Sequence, residues 1–304
     1  MSNRTPGQGY WVNLRGWLVW KSTLVRRRAA ALGGAILRAA RGSIESGSVT
    51  AGASAYRLGG KLIRFPHRHD HISLPRPLEI AGYRFDVLGE LTEYTGLEPA
   101  LTDALVRREG DDFRSEWYAL PPRYRGDSWF YTSSRNYLFA NAVHVYESPE
   151  LVDHLVELCP PGGDVLEFGG GSGNLALALA ARGLRVDFLE VSALQKDFVR
   201  YRVAKHSLEN RLTVLDRWSA LPESHYDLIC AFDVFEHLAD VEAVLDGQIV
   251  PALRVGGALA ERSPFVRNLA NPMHYEDTLG FDSLLERRGF RLVSDDALSR
   301  IWRR

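Results

Sequence analysis

An α/β fold with a largely parallel sheet is predicted for the C-terminal half of this 304-residue chain, and three observations predict it. From about residue 160 short apolar runs alternate with helical patterns, as they do in βαβ units. The stretch VLEFGGGSGNLALALAARG (165–183) passes from an apolar strand through glycines into a helix. Such a junction offers open backbone N–H groups and a helix dipole to a polar ligand. The last two apolar runs are too close for a crossover helix, so the final strand should run antiparallel to its neighbour.

Residues 1–150 lack the alternation and read as a helical N-terminal, lid and substrate region, with the α/β domain over 151–304. In the first part Glu98-Pro99 opens a helix, proline suiting a first turn. SSRNYLFANAVHVYESPELVDHLVEL carries two more helices that break near Ser148-Pro149. DVLEF (164–168) is then the first strand, followed by a helix from near Gly173. RVDFLEV (185–191), LTVLD (212–216) and YDLICAF (226–232) are the second to fourth. GALAER (257–262) follows a helix whose end Gly256 and Gly257 mark. A helix around Phe281 to Arg288 leads to FRLVSD and a short strand near SRIW, which completes seven strands.

Apolar content of 45%, charged content of 25% and a net charge of −1 describe a soluble globular protein with no bias towards nucleic acid. Cys159 and Cys230 lie far apart without metal-type spacing and read as packed thiols in a reduced, cytoplasmic setting. No apolar run approaches the ~18 residues of a membrane span. RRRAAALGGAILRAARG superficially suggests a twin-arginine export signal, but it lies late and Arg38 and Arg41 interrupt it, so export is not expected.

The glycines do not suit a dinucleotide. That pattern is G-x-G-x-x-G/A. Here Gly169, Gly171 and Gly173 are spaced by twos, Asn174 stands where Gly or Ala is expected, and the acid Glu167 precedes the first glycine by two. Further acids stand at later strand ends: Glu190 before Val191, Asp216 before Arg217 and Trp218, and Asp233 after Phe232 in FDVFEHL.

E-x-G-x-G-x-G followed by these strand ends resembles the class I S-adenosylmethionine-dependent methyltransferases over roughly residues 150–304. The resemblance implies a Rossmann-like sheet of order 3-2-1-4-5-7-6 and S-adenosylmethionine as cofactor. Glu167, Gly169, Gly171 and Gly173 would then serve the cofactor's amino-acid end. Glu190 and Val191 would serve its ribose, and Asp216, Arg217 and Trp218 its adenine. Phe232 and Asp233 would lie under the transferred methyl. Bland readings stand beside these: a ligand-free glycine turn, Glu190 as a solvated strand end, Trp218 as core, and Asp233 and Glu236 as helix caps.

Methyl transfer from a sulfonium is an in-line displacement on an activated carbon, so positioning and exclusion of water dominate and no metal is required. His237 is the candidate base for the acceptor's proton; its alternative is a structural role. Tyr131, Tyr137 and His144 belong to an aromatic segment expected to close over the cofactor mouth, or else to interdomain core. The absence of [DN]-P-P-[YF] after the fourth strand disfavours nucleic-acid bases, and Asp233 supplies at most one ligand for metal-assisted catechol chemistry. FEH resembles cyclopropane-forming lipid enzymes, without the rest of their pattern.

His67, His69 and His71 could project from one face as metal ligands, but read better as a solvated loop or a pH-sensitive surface. Residues 1–44 hold eight Lys or Arg and no acid, with Trp11, Trp17 and Trp20. They suit peripheral membrane or partner-subunit contact, packing on their own protein, or a disordered arm. The expected whole is a methyltransferase acting on a small molecule, a specialised metabolite or lipid-like precursor. Its rivals are a non-catalytic S-adenosylmethionine-binding scaffold and, more weakly, an NAD-dependent dehydrogenase.

Overall fold

The computed structural model describes residues 74–121, 124–125, 127–142, 148–216, 221–268, 271–296 and 299–304. The chain divides into Met1–Ser73 and Leu74–Arg304, and the second unit is the one described. The basic arm, the histidines at 67, 69 and 71, His144, Arg217 and Trp218 all lie outside the described residues.

The second unit opens on a hairpin, β1 (Leu78–Ile80) paired antiparallel with β2 (Tyr83–Phe85). Ala81 and Gly82 form its two-residue turn with φ of 51° and 82°, the left-handed pair that suits tightly joined twisted strands. Sequence reading made this region helix and loop; the missed signal is the alternation of LEIAGYRF across a two-residue turn. Ile80 and Phe85 are buried and join the core against the main sheet.

Helices follow: α1 (Val87–Thr95), α2 (Pro99–Arg107), α3 (Glu109–Ala119), α4 (Asp127–Ser133), α5 (Tyr137–Ala140) and α6 (Pro149–Glu157). Pro99 stands in a first turn as expected, Pro149 opens α6 at the expected break, and the Ser148 hydroxyl caps α6 by accepting from Leu151 N at 3.2 Å.

The main sheet consists of β3 (Asp164–Phe168), β4 (Arg185–Leu189), β5 (Leu212–Val214), β6 (Tyr226–Phe232), β7 (Leu253–Arg262), β8 (Arg291–Asp295) and β9 (Arg300–Arg303). Their order is β5-β4-β3-β6-β7-β9-β8, with β9 antiparallel to both neighbours. Numbered within the sheet this is 3-2-1-4-5-7-6, the expected Rossmann-like topology. α7 (Asn174–Ala181) and α8 (Ala193–Lys205) connect the first three strands. α9 (Val241–Val244), a π turn (Leu245–Ile249) and α10 (Val250–Ala252) lead into β7. α11 (Phe281–Arg287) precedes β8.

The fifth strand differs from expectation. It begins at Leu253, so Gly256 and Gly257 lie inside it and do not end the helix. Between Tyr226 and Leu228 of β6 the partner shifts from Leu253 to Ala258, and the glycines with their neighbours are accommodated in that irregularity.

Burial explains why the first β-α-β unit anchors the domain. Every residue of β3 is buried, and α7 (NLALALAA) is buried on nearly all sides between sheet and α6. Each such leucine contributes ~1.5–3 kcal/mol through apolar burial. Among the described residues no helix is long and apolar enough to cross a membrane.

Candidate active site

The glycine junction folds as a cradle because its backbone demands glycine. Gly169, Gly171 and Gly173 have φ of 75°, 53° and 72°, in the left-handed region. A Cβ on Gly169 would lie 2.7 Å from Val234 Cγ2, and one on Gly171 2.9 Å from Asn141 Nδ2. Both glycines therefore keep backbone open where a side chain would collide with its surroundings.

Two acids organise this cradle. Glu167 lies beneath it, and its Oε2 accepts from Ala176 N at 2.9 Å, placing negative charge at the start of α7. Glu190, just past β4, is fully enclosed; its two oxygens accept from Gly171 N at 3.1 Å and Ser192 N at 2.9 Å. Burial raises the Glu190 carboxyl above its ordinary value, while backbone N–H groups of Ser192, Gly171 and Val191 draw it back down. Glu190 is not the solvated strand end that the sequence also allowed.

Two cavities meet over the carboxyl ends of β3 and β6. One, of about 310 Å³, is lined by Glu167, the glycine cradle, Asn141, Phe232, Met273 and His274 among others. The other, of about 510 Å³, is lined by Glu190, Val191, Val234 and Leu238 among others. Six residues line both: Tyr131, Tyr137, Phe168, Gly169, Asp233 and His237. The divide is built by Tyr131 from α4, whose hydroxyl oxygen lies 2.7 Å from His237 Nδ1. Tyr131 packs with Trp117, Phe130 and Met273, so helices preceding the sheet wall the site with aromatic rings. Burial raises the phenols of Tyr131 and Tyr137, which keeps both protonated.

FDVFEHL does not act as a helix cap. Asp240 caps α9 by accepting from Ala243 N at 2.9 Å. Asp233 instead adopts a left-handed φ of 52°, unusual for a residue with a side chain, and lines both cavities. Phe235, Glu236 and His237 form a 3-10 turn. Glu236 is wholly buried, and burial first, then Asp233, pushes its carboxyl up to about 9. Neither of its oxygens has a hydrogen-bond partner; the approach of Asp233 falls short of that geometry.

The structure thus brings together Glu167, Gly169, Gly171, Glu190, Val191, Phe232, Asp233, His237, Tyr131 and Tyr137. Gly173 sits behind the cradle as the N-cap of α7. Asp216 stands apart: its side chain is 83% exposed, it pairs with Arg200, and it lines neither cavity. Sequence reasoning missed Asn141 and His274, which local pattern could not place at a strand end they do not adjoin.

A family model described as a methyltransferase domain matches residues 139–303, more than half of the chain. The chain belongs to the methyltransferase-domain family. S-adenosylmethionine is the cofactor of this methyltransferase domain. No curated protein matches the chain. Among solved structures, an S-adenosylmethionine-dependent methyltransferase from Aquifex aeolicus is 20% identical, over 51% of this chain and 88% of that one, with a TM-score of 0.42. A putative sarcosine dimethylglycine methyltransferase from Galdieria sulphuraria is 17% identical over 61% and 75%, with a TM-score of 0.43. The [4+2]-cyclase SpnF is 18% identical over 51% of this methyltransferase-family chain, with a TM-score of 0.42; the match spans only 60% of SpnF.

The residues present fit the cofactor. Asn141 Nδ2 is buried beside Gly171 without an acceptor, its approach to the Tyr137 hydroxyl falling short of a hydrogen bond. That orphaned donor suits a ligand carboxylate. Each Glu190 oxygen spends one lone pair on a backbone N–H and retains acceptor capacity towards its cavity.

Proposed function

We propose that this protein transfers a methyl group from S-adenosylmethionine to a small-molecule acceptor, a specialised metabolite or lipid-like precursor. The observation that carries the reading is the pair of adjoining cavities divided by Tyr131 and His237, one floored by the glycine cradle and the other by Glu190. The cofactor spans both cavities, of about 310 and 510 Å³, and the space left beside His237 and His274 suits a compact acceptor better than a macromolecule.

The cofactor supplies a sulfonium methyl group already activated for displacement. The chain's own residues bind and align. Glu190 holds hydroxyls, Glu167 and the cradle hold the amino-acid end, and the aromatic wall excludes water. His237 is the catalytic residue of this reading: Tyr131 fixes its ring through Nδ1, and its Nε2 acts on the acceptor's attacking atom. The domain division proposed here is an N-terminal region to residue 150 that shapes the acceptor side and a cofactor-binding part from 151 onwards.

Calorimetry with S-adenosylhomocysteine and NAD, followed by transfer of a labelled methyl group to a panel of hydroxyl, amine and carbon acceptors, tests the proposal. Binding of S-adenosylhomocysteine with label transfer is expected. His237→Ala should lower turnover by ~10²–10⁴ and leave cofactor affinity unchanged. Binding of NAD alone would overturn the reading.

A further inference from the structure

We infer that Glu236, His237 and His274 form a binding site for a divalent first-row transition-metal ion at the floor of the acceptor space. One possible ligand atom from each lies within 4.8 Å of the others. Bonds of roughly 2.0–2.2 Å to one ion place its ligand atoms roughly 3–4.3 Å apart. His237 Nε2 and Glu236 Oε1 are 4.0 Å apart, inside that span.

The second observation is the state of Glu236. Its side chain is wholly buried and both carboxyl oxygens lack a hydrogen-bond partner. Unpaired buried polar groups are costly in such surroundings. Among the described residues no lysine or arginine pairs with it, and the group pressed against it is another acid, Asp233. A divalent cation bound to these oxygens removes this deficit.

The imidazoles are oriented as ligands. His237 Nδ1 is engaged by the Tyr131 hydroxyl at 2.7 Å, and His274 Nδ1 by the Pro264 carbonyl at 3.0 Å. The Pro264 carbonyl can only accept, so His274 carries its proton on Nδ1 and leaves Nε2 for a metal; the Tyr131 hydroxyl can likewise accept from His237 Nδ1 and leave that ring's Nε2 to coordinate. The two rings stand perpendicular with centroids 4.6 Å apart. Two imidazoles with a carboxylate suit Mn²⁺, Fe²⁺, Co²⁺ or Zn²⁺, and Asp233 adds a further oxygen nearby.

His237 and His274 line the cavity while Glu236 lies behind them, so the remaining coordination positions face the acceptor. On the methyltransferase reading, the ion binds the acceptor's attacking oxygen or nitrogen and lowers its pKa. His237 then acts through the ion. The same Nε2 cannot both hold a metal and take a proton, so the two roles exclude each other.

The test uses the full chain, stripped with chelator and dialysed against limiting Co²⁺, with metal content measured by mass spectrometry and Co²⁺ coordination by absorption. Wild type should retain a single ion per chain. Glu236→Gln and His274→Ala should each weaken retention by at least about tenfold. All three proteins should bind S-adenosylhomocysteine alike in calorimetry. Should Glu236→Gln not fold, His274→Ala, on a loop, decides the matter. No retained ion, or undiminished retention in the folded variants, overturns the site and leaves His237 as a direct base. Metal binding without S-adenosylhomocysteine binding would instead uphold the site and end the methyltransferase reading.

Discussion

At the scale of the residue, Glu190 shows a carboxylate doing two jobs. It ties Gly171 to Ser192 through their backbone N–H groups, fixing the cradle, and it faces a cavity with acceptor capacity left over. Glu190→Gln keeps the shape but replaces one oxygen by a donor that cannot accept from Ser192 or Gly171. S-adenosylhomocysteine affinity should fall by ~1–3 kcal/mol in calorimetry, and an unchanged affinity would remove Glu190 from the site. Cys159 and Cys230 have no such second role: burial pushes the first thiol up to about 12 and raises the second well above its ordinary value, leaving both unreactive.

At the scale of the element, α1 is bound to the cofactor loop through α8. Arg202 of α8 is fully buried; its Nε donates to Glu90 of α1 at 2.5 Å and its Nη1 to the Ser172 carbonyl at 2.6 Å. His206 joins the other Glu90 oxygen at 2.8 Å. Burial opposes the Glu90 charge most strongly, but His206 and Arg202 together outweigh it and bring the carboxyl down to about 2. A carboxyl lowered on folding stabilises above its unfolded value near 4.5, and that stabilisation is lost as pH falls from there towards 2. The loss amounts to about 3 kcal/mol. Glu90→Gln should cost about 3 kcal/mol at pH 7, since it leaves Arg202 buried without its partner. Urea titrations should then show wild type and variant converging as pH drops towards 2. Parallel pH profiles would show that Glu90 is not charged in the fold.

At the scale of the molecule, helices from before the sheet and the loop after β7 close on the carboxyl ends of β3, β4 and β6. Trp117, Phe130 and Tyr131 meet Met273 there, so the site is walled by parts distant in sequence. A ligand bound between these parts should stabilise the whole domain. S-adenosylhomocysteine at about a hundred times its Kd should add about 2.7 kcal/mol and raise Tm by ~5–10 °C in a thermal melt. A Tm that does not move would mean the compound is not bound between these cavities.

The sequence by itself determined the sheet. Alternating apolar runs, Glu167 with its spaced glycines, and an acid after β4 follow from local chemistry: strands bury both faces, and a strand-to-helix turn without side chains needs glycine. It misjudged the start of β7, because glycines that usually end helices also permit a bulge in a strand. Only the tertiary structure decided how Tyr131 meets His237, how His274 comes beside Glu236, and how Arg202 spans Glu90 and Ser172. Those meetings depend on buried side chains from separate elements finding partners in a space that packing alone defines, and spacing along the chain carries no record of it.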